Sequence, residues 1–294
     1  MPEEIKMCPL CGSNQSVIFD QRNFRDQAVT NRLCERCGLV YQSPRMTQAE
    51  ADAFYAADYR EMYQGDAGPT LKDLAVQKGR AASLLAFSQK HIQRINRHLD
   101  IGCSSGQLLL AFKSTYGCQP VGIEPGDAYR NYSSQQGLAV YSSLDELSAQ
   151  AGERFDLISM AHVLEHLTDP VAYLAALRKD ALQEDGWLLL ETPNLYAHDC
   201  FEFAHTISFS ARTLGQVVQK AGYEIIALEK HGRPRSVVIP YYLSLLARPV
   251  SSTAAEFSVQ PEPAVALKRR LGLFYRSIWT RIAPGMAWRG IENT

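Results

Sequence analysis

The stretch from His98 to Phe112, HLDIGCSSGQLLLAF, runs from an apolar strand that ends in an acid, through a turn held between Gly102 and Gly106, into a helix. A glycine turn between strand and helix lets a ligand approach bare backbone, and the helix N-terminus offers unpaired N–H groups. A nucleotide-like ligand is the first expectation. A dinucleotide needs glycines spaced G-x-G-x-x-G so that its pyrophosphate can rest on the helix. Only the outer pair is present here, and Asp100 ahead of it would repel a phosphate.

Outward from this turn, apolar strands alternate with helical stretches. The strands are RHLDIG (97–102), PVGIEP (120–125), FDLISMA (155–161) and GWLLLETPN (186–194), with helices near 105–115, 127–136, 169–183 and 211–222. Such alternation predicts an α/β fold, a parallel sheet covered by helices on both faces. Ligands in these sheets sit beyond the carboxyl ends of the strands, and those ends carry Asp100, Glu124, Ala161-His162 and Thr192-Pro193-Asn194. Glu124 comes 24 residues after Asp100, where an acid can take both hydroxyls of a ribose. Together these features describe a ligand with an adenosine half and a cationic or zwitterionic half.

At 294 residues, 46% hydrophobic and 21% charged, the chain has room for one large domain plus smaller attachments. Its formal net charge of −1 gives no global attraction to nucleic acid, and its first residues, MPEEIKM, are acidic where a signal peptide would be basic and then apolar. No apolar run reaches the ~18 residues of a membrane span. A cytoplasmic protein is expected.

Four of the seven cysteines form two knuckles, Cys8-Pro9-Leu10-Cys11 and Cys34-Glu35-Arg36-Cys37, with 22 residues between them. A tight turn points thiolates at i and i+3 toward one centre, and two such turns complete the tetrahedral sulfur set that Zn²⁺ prefers. A closed structural zinc site is expected at Cys8, Cys11, Cys34 and Cys37. Cys103, Cys118 and Cys200 are scattered and read as ordinary buried thiols.

After the second knuckle come a short apolar strand, Pro44 as a stop, and a helix with Thr47 as N-cap and Glu50 at its third position. Tyr55, Tyr59 and Tyr63 recur every four residues and predict a packing face; a loop (65–70) and a second helix from Leu71 to Arg94 follow. Near the other end, residues 231–250 read as a sheet-edge hairpin and 251–265 as a linker. The tail then interleaves aromatics with Lys268, Arg269, Arg270, Arg276, Arg281 and Arg289 and no acid. A docked helix with a solvated basic face is one reading, and a peripheral membrane contact or a site for an anionic polymer is the other.

The segments LDIGCSSGQLL (99–109), VGIEP (121–125), FDLISMAHVLEHLTDP (155–170) and GWLLLETPN (186–194), in this order, resemble the class I S-adenosylmethionine-dependent methyltransferases. CPLCG (8–12) and CERCGLVYQSPR (34–45), followed by the tyrosine-rich helix, resemble the subgroup with an N-terminal zinc-binding domain, which includes sugar methyltransferases. The resemblance implies a Rossmann-like sheet with S-adenosylmethionine as cofactor. Gly102, Cys103 and Gly106 would surround its methionine end, Asp100 its amino group, Glu124 its ribose, and Ala161 and His162 the reactive sulfonium, with Pro125 also on the cofactor. The domains would be a zinc ribbon (1–46), connecting helices (47–94), the cofactor-binding core (95–235) and a C-terminal extension (236–294).

Methyl transfer to an alcohol or a carbon acid requires a base. In the sugar C-methyltransferases a histidine after the fifth strand serves, within a pattern resembling Tyr-x-Glu-His. That implies His205 in CFEFAHTISFSARTL (200–214), although here Glu202 and His205 are split and Phe201 and Phe203 offer no phenol. A second cluster, His162, Glu165 and His166, shares one face of a helical turn. With His205 it resembles sites in which some methyltransferases hold magnesium, although His162 stands where those have a first Glu, and in many relatives the same wording only positions cofactor and helix. The expected reaction is O-methylation of a sugar, either a nucleotide-sugar or a glycan end. C-methylation of a keto-deoxysugar nucleotide is the alternative. An RNA-binding, RNA-modifying or idle binding protein is the reading from another class, which the near-neutral charge argues against.

Overall fold

The computed structural model of the chain describes residues 2–57, 68–150, 154–250 and 257–289. At its centre is a seven-stranded sheet. Its strands are β4 (Arg97–Ile101), β5 (Gln119–Ile123), β6 (Ala139–Tyr141), β7 (Phe155–Ala161), β8 (Leu182–Pro193), β10 (Tyr223–His231) and β11 (Tyr242–Pro249), in the spatial order β10-β11-β8-β7-β4-β5-β6. The five from β8 to β6 are parallel, and β11 runs antiparallel to both its neighbours. β4 lies in the middle, with Leu99 registered on Val121 and Ile158. Leu99, Ile158, Leu188, Leu190 and Leu245 form part of one buried core.

Helices α3 (Gln107–Tyr116), α4 (Asp127–Gln135), α6 (Pro170–Asp180) and α7 (Ala211–Lys220) stand where the alternation predicts them. The cofactor-binding core expected to end at residue 235 extends through β11. Leu243, Leu245, Leu246 and Ala247 are all fully buried, the pattern of a strand covered on both faces, so this segment lies inside the sheet and not at its edge. The hairpin likewise begins earlier than expected, at Tyr223, because the mixed burial along β10 leaves no clean alternation to read.

At the N-terminus, β1 (Ser16–Phe24), β2 (Gln27–Cys34) and β3 (Val40–Gln42) form an antiparallel sheet. It is completed by β9 (Ile207–Ser208), in which Ile207 pairs with Tyr41 and Ser208 with Val40. The cysteine-bearing module is thus stitched to a segment far along the chain. α1 (Gln48–Ala57) starts in the expected box: Thr47 Oγ1 accepts from the Glu50 N–H at 3.3 Å, and Glu50 accepts from the Thr47 N–H at 2.9 Å. Tyr55 donates its hydroxyl to the Ala204 carbonyl at 3.0 Å; Tyr59 and Tyr63 lie outside the described residues.

α2 (Leu71–Ser88) begins in a second capping box, Thr70 with Asp73. It stops before the expected Arg94, so that Ile92 and Ile95 bury against Leu84, Phe87 and Phe112. α5 is Leu144–Gln150. The last two described helices are α8 (Val265–Ile282) and α9 (Pro284–Ala287). Of the expected linker, residues 251–256 lie outside the described residues. The following stretch is fastened down, since the buried Glu262 accepts from the hydroxyls of Tyr196 and Ser210.

Candidate active site

A turn with three left-handed residues follows β4: φ is 72° at Gly102, 50° at Ser104 and 72° at Gly106. A Cβ at Gly102 would lie 2.5 Å from Val163 Cγ2, and the left-handed torsion favours glycine at both Gly102 and Gly106. Glu124 at the end of β5 braces the turn. Its carboxylate accepts from the Ser104 N–H at 2.9 Å and the Gly126 N–H at 3.1 Å.

Asp100 is buried. The Ser159 hydroxyl donates to it at 2.6 Å, and that hydroxyl accepts in turn from His98 Nε2 at 2.7 Å. Burial holds His98 neutral, with its pKa down at about 3, and pushes Asp100 up to about 7, partly offset by the serine hydrogen bond. A buried acid in that state gains most from a cationic group brought alongside it.

These residues border a cavity of about 900 Å³, at the large end for a ligand site and roomy enough for a cofactor plus a second molecule. Asp100, Gly102, Cys103, Glu124, Pro125, Ala161, His162 and His166 all line it. Gly106 and His205 stand outside its wall. Gly106 starts α3 behind the turn, and His205 lies behind His166, ring to ring at 4.9 Å.

Helix α2 supplies a wall that the sequence reading missed. The Gln77 carbonyl accepts from the Ser105 N–H at 3.1 Å, and its amide donates to the Ser104 hydroxyl at 3.0 Å. One turn on, the Arg80 guanidinium lies 2.9 Å from Glu191. Glu191 is fully buried on β8, with His162 Nε2 and His231 Nε2 each 3.3 Å from its carboxylate. Burial alone would raise its pKa, but the two imidazoles and the guanidinium hold it below the usual carboxylate range. An acid inside the apolar run LLLET was visible in the sequence; its partners, from three distant elements, were not. His162 itself has φ 58° and is held between Glu191 and Glu165, with Nδ1 3.3 Å from the latter.

The second cluster lies along the single-turn helix Leu164–His166. His166 Nδ1 is 3.0 Å from the Ala204 carbonyl, and His205 Nδ1 is 3.0 Å from the Cys200 carbonyl. A carbonyl only accepts, so Nδ1 carries a proton in each ring. One ligand atom from each of Glu165, His166 and His205 lies within 4.8 Å of the others. Burial drives His166 down to about 4. Glu165 is held at about 2 by His162, His166 and His205, against the upward push of burial. The ring at the cavity wall is therefore a neutral imidazole at physiological pH, with a carboxylate beside it.

In the N-terminal module the four cysteines converge without a disulfide. Cys8 Sγ is 3.6 Å from Cys37 Sγ, and Cys11 Sγ is 3.5 Å from Cys34 Sγ. A tetrahedron with zinc–sulfur bonds of about 2.3 Å has edges of about 3.8 Å, so this donor set fits Zn²⁺.

The sequence profile of a family described as a methyltransferase domain matches residues 74–228, more than half of the chain. Among curated proteins, the chain is 38% identical over 106 residues to a ubiquinone biosynthesis O-methyltransferase of Cereibacter sphaeroides, and 35% identical over 104 residues to one of Ruegeria pomeroyi. Each match takes in 33% of this chain and 41% of the relative, so the chain spans less than half the length of these proteins. Among solved structures, the fold is like that of the 1,6-didemethyltoxoflavin-N1-methyltransferase of Burkholderia thailandensis. That match has a TM-score of 0.57 and 17% identity, and covers 81% of this chain and 100% of that one. The PH0226 protein of Pyrococcus horikoshii gives a TM-score of 0.50 at 14% identity, covering 66% of this chain and 99% of that one. With its matched domain and this sheet order, the chain belongs to the class I S-adenosylmethionine-dependent methyltransferases.

Proposed function

We propose that the protein transfers a methyl group from S-adenosylmethionine to a ring hydroxyl of a small molecule, with His166 as the base. The observation that carries this reading is His166, neutral and with Nδ1 committed to the Ala204 carbonyl, at the wall of a cavity that also holds Asp100 and Glu124. When bound, the cofactor supplies an electrophilic methyl and a neutral thioether leaving group. Asp100 would take its ammonium and Glu124 its ribose hydroxyls, with the Gly102 turn against its methionine end. His166 Nε2 would take the acceptor proton as the methyl group is transferred, with the Glu165 carboxylate close by to offset the charge on the ring.

The acceptor half of the cavity favours a phenol. Tyr55, Tyr173, Leu84 and Leu167 line the cavity alongside polar Gln48 and Asp52, and the similar curated proteins are named as O-methyltransferases. Arg235 on the cavity wall favours the nucleotide-sugar expected from the sequence as a second reading, since it could take a phosphate, whereas Arg80 is paired with Glu191. C-methylation loses support because Phe201 is buried beneath Arg269 and Phe203 packs on Phe54. The deciding experiment supplies radiolabelled S-adenosylmethionine with a panel of catechols and a panel of nucleotide-sugars. Label in a catechol ether is the expected result. Label only in a nucleotide-sugar installs the second reading, and label in neither panel rejects both.

The N-terminal module is proposed to hold one structural Zn²⁺ on Cys8, Cys11, Cys34 and Cys37. In so small a unit, metal-binding energy is folding energy. Elemental analysis should find one zinc per chain, and Cys34→Ser should release it and lower the melting temperature. Less than half an equivalent in protein purified without chelators counts against the site.

A further inference from the structure

Helix α8 is mounted the opposite way round from an ordinary surface helix. Arg269 and Arg276, one face of the helix, are turned inward. Arg269 is buried over the Phe201 ring at 4.1 Å and donates to the carbonyls of Leu195 and His198, while Arg276 donates to the Ala197 carbonyl at 3.4 Å. Between them Gly272 lies against the Tyr196 carbonyl so closely that any side chain would overlap it. The opposite face carries Leu267, Leu271, Phe274, Ile278 and Ile282, spaced by four and three residues, and each is between 39 and 68% exposed. Met286 and Trp288 follow, each 45% exposed. A water-facing helix normally buries its apolar stripe, and a continuous one left outside marks a surface that meets something apolar.

Charge identifies the occupant. Residues 263–291 contain no acid. Arg270 and Arg281, eleven apart, lie along one margin of the stripe, and Arg289 lies past its end. None of these three has an ion-pair partner among the described residues. A second copy of the chain would set these arginines against their own kind, at an electrostatic cost. An anionic bilayer surface meets both demands, taking the apolar stripe between its acyl chains and the arginines among its headgroups. No described helix is long and apolar enough to cross a membrane, so α8 would lie in the interface plane. Arg235, which lines the active-site cavity, stacks over Trp288 at 4.9 Å and thus touches both the cavity and this face.

We propose that α8 docks the protein on an anionic lipid surface through Leu271, Phe274 and Ile278, with Arg270 and Arg281 on the headgroups. The test is co-sedimentation of the full chain with phosphatidylcholine vesicles, with and without phosphatidylglycerol. The full chain should sediment with the anionic vesicles and stay in solution with the neutral ones. Leu271→Glu with Phe274→Glu should reduce binding by at least about tenfold. Arg270→Gln with Arg281→Gln should weaken it and flatten its dependence on salt. These side chains point outward, so each variant should keep native affinity for S-adenosylhomocysteine, which checks folding independently. Three results would overturn the proposal: no sedimentation with anionic vesicles, equal sedimentation of wild type and variants, or a solution dimer that Phe274→Glu disperses.

Discussion

Gly102→Val yields a folded chain that no longer binds S-adenosylhomocysteine. The added side chain must sit at φ 72°, a torsion that costs a β-branched residue about 1–2 kcal/mol, and its Cβ would meet Val163 Cγ2 at 2.5 Å. Relief can come only by moving the turn into the cavity or displacing Val163, which neighbours His162. Either movement removes the surface against which the methionine end would lie. Glu124→Ala reaches the same outcome by deletion, since it takes away the proposed ribose acceptor and leaves the N–H groups of Ser104 and Gly126 without their carboxylate. Calorimetric titration should show at least a hundredfold loss in both variants, about 2.7 kcal/mol. Native affinity in both would reject the cofactor assignment.

His166→Ala should lower turnover by roughly 10² to 10⁴ while cofactor affinity stays unchanged, the range for losing a positioned general base. His205→Ala should cost less, because His205 stands behind His166 and not on the cavity wall. With its pKa near 4, His166 keeps its lone pair through the neutral range, so the rate should fall only as the pH drops through that value and the ring protonates. The same assay separates a plain base from a divalent ion held by Glu165, His166 and His205. Activity that vanishes in chelator and returns with added divalent ion would replace the base with a metal site; near-native turnover of His166→Ala would remove His166 from the mechanism.

What could be read in the sequence was whatever is written locally. The turn at Gly102–Gly106, the strand-end acids Asp100 and Glu124, and the paired knuckles each carry their meaning within a few residues. Residues that work through distant pairing carried no such mark. Gln77 and Arg80 look like any polar positions on a helix, and only the fold sets one on the Ser104–Ser105 backbone and the other on Glu191. β9 is two residues long, too short for any periodicity, and it exists because β3 offers it an edge. The choice between His166 and His205 was illegible for the same reason, since both are near the right strands and only their depth behind the cavity distinguishes them.

The pairing of β9 with β3 has a bearing on the chemistry. Ala204, Thr206 and Ile207 form a short rail: the Ala204 carbonyl fixes the proton on His166, the Thr206 hydroxyl donates to the carbonyls of Glu165 and Leu167, and the Thr206 carbonyl accepts from the Gln42 N–H. One side of the rail holds His166, the proposed base, and the other is anchored in the module of four thiols. Oxidation of those thiols, or metal starvation, would slacken the anchor without disturbing Asp100 or Glu124. The position of His166 is thus tied to the folding of a module that lies far away along the chain.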